Sequence, residues 1–504
     1  MSDPTPRTDA AAPLPPGVPD PALAEYAVGG SLALTDAERW PLMSAEGRAR
    51  LEALRHHPRA PVWVHQTGDR LEPQDLEALA DIRAAVAAGT YRATTPDTPA
   101  WVADLIERAY AAVPRYRKAA RADGRRPRAL TEVPPVHRGD LLEDIASFVP
   151  VDVPLDRVLE GTSSGSGGTA LTVPLHPVST AAEVLYFTDL AHQAGVEWEP
   201  EPDRLGLLNI IDQRAGFTYA SALTSKGGVP MARVNVHPDA WRAPGDREAF
   251  LRAQDPVVIS GNPLSLLALA ELDVDLTPRV VFSGAAHLTP AARRQLGERW
   301  GVPVIDVYGT REAGLISADL RGVPDAHGAP PDERTAGTPT EHVVLSRRIH
   351  VEILDDSGAP VPDGTRGEVT VTVDDNPYLP LLRYRTGDSA ALRHDPLPDG
   401  TWSAVLVGLE GRTPVRFASA TGTWIPSVDL TQTLQAYGLT GWHLHQDAAG
   451  DLELTVFAPL TPADLSAVVG AVERLTGRRP AVATVAPVDA GTAPKRRFTS
   501  TYEP

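Results

Sequence analysis

The segment from RVVFSG (279–284) to VPVIDVYG (302–309) constrains the fold more than any other part of the chain. An apolar, β-branched run leads to Thr289, Pro290, the helical pattern AARRQLGERW and Gly301, and then to a second apolar run. Threonine caps the free N–H groups of a helix start, proline at the first helical position gives up a donor that has no partner there, and glycine takes the left-handed geometry of a helix end. Strand, helix and strand in such close succession argue for parallel strands with the helix on a sheet face. LTVPL (171–175) begins a similar unit, in which Thr180 and Glu183 form a capping box for the helix AAEVLYFTDLAHQ and Gly195 ends it. The chain is therefore expected to be α/β, with mostly parallel sheets flanked by helices.

Other stretches divide it. Residues 1–30 contain seven prolines and little apolar periodicity, and read as a disordered tail. Residues 36–150 are helical in pattern, as in AEGRARLEALRHH, QDLEALADIRAAVAAG and AWVADLIERAYAAV. An α/β core over 151–336 follows, and then a β-rich stretch over 337–412, where HVEILDD and GEVTVTV flank the turn-rich SGAPVPDGTR as a hairpin. Together 31–412 form one large, multi-part N-terminal domain. Residues 413–504 read as a small, mobile α+β C-terminal domain, with strands WHLHQ, LELTVF and AVATVAPV and a helix opened by Thr461 and Pro462 and closed by Gly477.

Composition then narrows the chemistry. Hydrophobic residues make up 42% of the 504, as in ordinary globular chains, and no apolar run reaches the roughly 20 residues of a membrane helix. The N-terminus lacks a secretory pattern, so a cytoplasmic location without a membrane partner is expected. The absence of cysteine removes disulfides, thiolate metal sites and cysteine nucleophiles. A formal charge of −18 argues against a nucleic-acid partner, and the basic run RADGRRPR (121–128) reads as a solvated loop. His443 and His445 share one strand face without a third ligand at suitable spacing, and read as ordinary histidines.

GTSSGSGGTA (161–170) is the densest glycine stretch. It lacks the GK dipeptide of a Walker loop, and Ala170 stands where GxGxxG needs its last glycine. Both fingerprints also require a helix directly after the loop, whereas LTVPL follows as a strand. Small residues and hydroxyls could wrap an oxyanion, and the same composition also suits a slack connector.

Partners downstream bear on that choice. VYGTRE puts Tyr308 and Glu312 at the carboxyl end of a strand, where open α/β sheets bind ligands. LLRYRTGD carries Arg383, Arg385 and Asp388, EGRT carries Arg412, and the tail APKRRF carries Lys495. The ordered set TSSGSGGT, VYGTRE, YRTGD, EGRT and a C-terminal PK resembles the adenylate-forming ligases. Over about residues 100–500, with VPRYRKAARADG, VPPVHRGDL and NPYLPLLRYRTGD, the chain resembles the phenylacetate-CoA ligase-like branch.

The resemblance implies an enzyme that joins a small carboxylic acid, aromatic acids among the candidates, to the α-phosphate of ATP and then passes the acyl group on. Coenzyme A is the first acceptor expected, with an amine or a carrier protein as the alternative. The resemblance makes Ser163, Ser164, Gly165, Ser166, Gly167, Gly168 and Thr169 the phosphate loop, and puts Gly284, Ala285 and Ala286 on the adenine side. It makes Tyr308 the residue that stacks on adenine, followed by Gly309 and Thr310, and Glu312 the holder of Mg²⁺. Asp388 would take the ribose hydroxyls, Arg412 the ribose and phosphate, and Lys495 the carboxylate and α-phosphate. Taken singly, Tyr308 also reads as a core aromatic, Glu312 as a helix-start carboxylate, Asp388 as a turn residue and Lys495 as a solvated lysine.

The departures from that pattern are specific. Thr169 and Ala170 replace a lysine and a proline, and Arg311 stands where a small hydroxyl residue usually precedes the glutamate, a cation able to stand in for the missing lysine. Pro414 and Val415 replace an acidic pair at the hinge, and RFASATGTW lacks the family's RG pattern. These changes motivate a third reading, a degenerate homologue that binds acid or nucleotide without turnover. QRAGFTYAS (213–221) is the expected lining of the acid pocket.

Overall fold

The computed structural model describes residues 34–163, 171–212, 217–320, 340–345, 348–411, 416–422, 424–426, 442–457, 460–484 and 496–502, with isolated positions between 430 and 439. The tail 1–30 lies outside the described residues. The N-terminal helices Ala45–Arg55, Asp75–Ala87 and Ala100–Ala112 occupy the three periodic stretches read from the sequence. Each turns its apolar stripe inward, burying for instance Leu51 and Leu54, Leu79 and Ile82, and Val102, Leu105 and Ile106. None of the described helices is long and apolar enough to cross a membrane.

Thr289 caps the helix Pro290–Trp300 through Ala292 N–H (3.1 Å), and Gly301 ends it at φ 68°. The strands on either side, Val280–Ser283 and Val304–Thr310, pair in parallel. The helix after LTVPL departs from the sequence reading. It runs Pro177–Gln193, with proline presetting the first helical φ and the His176 imidazole accepting Val178 N–H (3.2 Å). Thr180 and Glu183 therefore lie inside the helix and do not form a capping box.

Among the described residues, one sheet of 14 strands organises the large part of the chain. Five neighbours are parallel: Val304–Thr310, Val280–Ser283, Val258–Gly261, Leu207–Ile211 and Val229–Asn235. Beyond Val304–Thr310 the pairing turns antiparallel, through Gly314–Asp319, Glu341–Val344, Trp402–Glu410, Leu381–Pro396, Arg366–Val373 and Ile349–Leu354. The hairpin predicted from HVEILDD and GEVTVTV forms, yet the β-rich stretch extends the α/β sheet instead of building its own. The reason is strand order: Glu341–Val344 docks beside Gly314–Asp319 and carries the later strands with it.

Residues 442–500 hold a separate four-stranded sheet ordered Ala481–Thr484, Leu452–Val456, Trp442–Gln446 and Arg496–Ser500, with the helix Pro462–Thr476. Its core gathers Trp442, Leu444, Leu454, Val456, Val468 and Val472. His443 and His445 both meet the Thr499 hydroxyl, at 3.0 and 2.8 Å, and among the described residues no group of three metal-ligating side chains exists.

Candidate active site

The glycine stretch sits at the tip of a β-hairpin. Leu159–Ser163 pairs antiparallel with Leu171–Leu175, from Leu159 opposite Leu175 to Ser163 opposite Leu171. Ser163 closes the first strand, while Ser164, Gly165, Ser166, Gly167, Gly168 and Thr169 lie outside the described residues. The strand-flanked setting read from the sequence is thus present on both sides.

Arg311 reaches the base of this hairpin. A Cβ on Gly161 would lie 2.6 Å from Arg311 Cδ and 3.3 Å from its Nε, so glycine is what lets the arginine lie across the strand. An arginine side chain is therefore present at the base of a hairpin whose glycine stretch lacks lysine.

The turn from Tyr308 to Gly314 joins the last parallel strand to the first antiparallel one, with a register shift between Tyr308 and Gly309. A Cβ on Gly309 would come within 2.5 Å of the Gly314 carbonyl oxygen, so the bulge excludes any side chain there. Thr310 steadies the turn by accepting Ala313 N–H on its hydroxyl (3.0 Å). Glu312 is buried and ion-paired with Arg138, which opens the helix Arg138–Asp144. Arg138 lies within VPPVHRGDL, yet no local spacing links it to a glutamate 174 residues away.

Across the strand switch, the Tyr308 hydroxyl donates to Asp388 Oδ2 at 2.7 Å. Burial and the Asp388 charge hold the Tyr308 hydroxyl well above its ordinary pKa, so it stays a donor. Asp388 is positioned by its own turn, where its N–H donates to Thr386 Oγ1 (3.1 Å) and Gly387 takes φ 81°. Glu368 braces the same turn by pairing with Arg385 and accepting Gly387 N–H (3.0 Å). Arg383 points inward to Glu352 (3.2 Å) and to the carbonyls of Val133 (3.1 Å) and Gly358 (3.0 Å). Of the two arginines of LLRYRTGD, Arg385 with Glu368 builds the turn that presents Asp388, and Arg383 anchors the strand leading into it.

Gly284 packs against Val307, whose Cγ2 would stand 3.0 Å from an added Cβ, and Ala285 takes φ 63° with Ala285 and Ala286 exposed. This backbone follows the strand Val280–Ser283, beside the strand that ends in Tyr308. Thr218, inside the expected acid-pocket stretch, is committed elsewhere: its hydroxyl donates to the Val62 carbonyl (2.6 Å), and Tyr219 packs edge-on to His65. Gln213–Gly216 of that stretch, Arg412 and Lys495 lie outside the described residues.

One carboxylate fits magnesium only if phosphate oxygens and water complete the shell, which is how that ion is usually held. Glu312 satisfies this limited requirement, with its side chain fixed by Arg138.

Residues 232–374 match the AMP-binding enzyme family. A phenylacetate-coenzyme A ligase of Thermus thermophilus is 26% identical over 325 residues, 61% of this chain and 68% of that protein. One from Aromatoleum evansii is 25% identical over 307 residues, 57% of this chain and 64% of that relative, so the match spans a little under two thirds of the latter. A 2-hydroxyisobutyryl-CoA ligase, solved with its acyl-adenylate, has the same fold, with a TM-score of 0.53, 20% identity and coverage of 84% of this chain and 89% of that one.

Proposed function

We propose that this chain, which stands with the adenylate-forming ligases and beside their phenylacetate-CoA ligase-like branch, activates a carboxylic acid with ATP and transfers the acyl group to coenzyme A. The observation that carries the reading is convergence. Tyr308, Arg311 and Glu312 share the turn at the edge where strand direction switches, Tyr308 holds Asp388 by a hydrogen bond, and Arg311 reaches the base of the glycine hairpin.

A carboxylate oxygen of the acid attacks the α-phosphorus, the bond to the β-phosphate bridge oxygen breaks, and pyrophosphate leaves. The barrier lies in bringing anions together and stabilising the charge on phosphorus, so fixed cations and N–H donors do most of the work. Arg311 offers such a cation beside the hairpin. Asp388 accepts the ribose hydroxyls, with Tyr308 holding it in place, while the tyrosine ring and Gly284 to Ala286 flank the adenine. Magnesium held by Glu312 would neutralise phosphate charge. In the second step the coenzyme A thiolate attacks the acyl carbon and AMP departs. We assign 31–412 to the adenylating domain, with Arg412 at its boundary, and 413–504 to a mobile cap that brings in Lys495.

Exchange of labelled pyrophosphate into ATP, driven by a panel of aromatic and aliphatic acids, tests the first step. Mass detection of products formed with coenzyme A, amines and a carrier protein then tests the acceptor. Lys495→Ala is expected to slow adenylate formation far more than transfer from a preformed adenylate, and equal losses would refute its role. Tight ATP binding without exchange for any acid would leave only the non-catalytic homologue.

A further inference from the structure

Glu368 lies on Arg366–Val373, the strand beside the one that carries Asp388, and the ladder between these strands breaks where the two residues meet. Glu368 pairs with Ser389 and Thr370 with Arg385, so Thr386, Gly387 and Asp388 stand opposite Val369 alone. Such a bulge gives up ladder hydrogen bonds, and bulges recur beside active sites because they re-aim a side chain. Here side chains replace the lost bonds. The Thr386 hydroxyl donates to the Val369 carbonyl (2.9 Å) and accepts Asp388 N–H (3.1 Å). One Glu368 oxygen accepts Gly387 N–H (3.0 Å), and the other pairs with Arg385.

The brace is itself held in place. Gly367, just before Glu368, leaves no room for a side chain, since a Cβ would come within 2.5 Å of the Leu354 carbonyl oxygen on the neighbouring strand. Arg366 donates to Ser389 Oγ (3.1 Å) and to the Gly408 carbonyl (2.7 Å), and pairs with Glu410 (2.9 Å). Arg366 and Glu368 thus grip the bulge at its two ends. Between them Asp388, only 8% exposed, accepts the Tyr308 hydroxyl from the other half of the sheet. The pair of Arg383 with Glu352 is different in kind, because its remaining hydrogen bonds run to the carbonyls of Val133 and Gly358 and not to the bulge.

We propose that Glu368 is a positioning residue for nucleotide selection: through Gly387 and Arg385 it sets the Asp388 carboxylate where the ribose hydroxyls of ATP are read, and so makes the reaction demand a ribonucleotide. Hydrogen bonds weaken steeply as their angle opens, so a small shift of this turn removes discrimination before it removes binding of the rest of the nucleotide. A site built to bond a hydroxyl also rejects the analogue that lacks it. The inference rests on the ligase reading above, with Asp388 as the ribose-binding group.

The test is pyrophosphate exchange by the full chain with ATP, 2′-deoxyATP and 3′-deoxyATP, using the acid of the aromatic and aliphatic panel that exchanges fastest. ATP should exceed at least one deoxynucleotide by roughly tenfold or more in kcat/KM, the scale of one hydrogen bond to a charged group. Glu368→Ala should lower kcat/KM for ATP by roughly tenfold while changing that for the deoxynucleotide by less than about threefold, so that the preference collapses. Glu368→Gln keeps an acceptor for Gly387 N–H and should retain part of the preference. Thr386→Val, nearly isosteric, removes the acceptor of Asp388 N–H and should collapse the preference in the same way, which decides the matter should Glu368→Ala fail to fold. Equal losses for ATP and the deoxynucleotides in both variants, with the preference intact, would reduce Glu368 to a structural brace and overturn the proposal. A wild-type chain that uses ATP and both deoxynucleotides equally would overturn it as well, and either result leaves the ligase reading standing. Exchange with no acid and no nucleotide would overturn the ligase reading and this proposal together.

Discussion

The two halves of the large sheet contribute to the site in different ways. The parallel half, from Val229–Asn235 to Val304–Thr310, presents strand ends and backbone, as at Gly284 and Ala285 after Val280–Ser283. Its strands are buried on both faces and mostly apolar, which suits sheets covered by helices. The antiparallel half holds arginine–carboxylate pairs: Arg383 with Glu352, Arg385 with Glu368, and Arg366 with Glu410. One half supplies shape and the other supplies fixed polar groups, and the reactive edge lies where they join. The Tyr308 to Asp388 hydrogen bond crosses that join.

Predictions aimed at this division run from large effects to small. Glu312→Gln sits on the join and should lower magnesium-dependent adenylation by about 10²–10³-fold, the usual loss when one preorganised electrostatic group is removed. Pyrophosphate exchange measures it, and a thermal melt separates loss of chemistry from loss of fold. Arg383→Ala removes one partner of a buried pair in the antiparallel half, leaves Glu352 uncompensated and should cost about 3–5 kcal/mol in urea unfolding. A loss below about 1 kcal/mol would mean that these pairs do not stiffen that half.

Asp306 tests a buried carboxylate in the parallel half. Desolvation raises its pKa to about 8, with Arg293 opposing, and His342 Nε2 lies 3.6 Å away. The folded state then keeps a proton that the unfolded chain releases near its ordinary value of 3.8. Stability should therefore fall as pH rises from about 4 to 8, and the fall should flatten in Asp306→Asn, as melts across that range would show. A wild-type and variant pair with identical pH slopes would remove Asp306 from the account. Tyr308→Phe is the mildest change: it deletes a single hydroxyl, should cost about 1–2 kcal/mol, and should raise the KM for ATP more than it lowers kcat. An unchanged KM would show that Asp388 is positioned by its own turn alone.

Much of the fold was legible because it is written in local rules. Thr289, Pro290 and Gly301 bracket a helix through contacts within a few residues, and so do Thr461, Pro462 and Gly477. The misreading at Thr180 and Glu183 shows the limit of such rules, since a capping box and Pro177 preceded by a histidine both signal a helix start, and only one can be the start. Tyr308 and Asp388 were legible as separate motifs, whereas their contact spans 80 residues. Arg138 and Glu368 were missed because their partners lie far along the chain or across a strand pair, and periodicity does not report register.

By itself the sequence determined the alternation of elements, the exclusion of cysteine chemistry, the strand-flanked glycine stretch and the ordered motifs. Caps, periodicity and composition act over a few residues, so they survive without knowledge of the whole. The tertiary structure decided that the β-rich stretch extends the α/β sheet, that Glu312 answers to Arg138, and that Arg311 lies over Gly161. Those outcomes follow from strand order and helix placement, which bring distant residues within hydrogen-bond reach or hold them just beyond it.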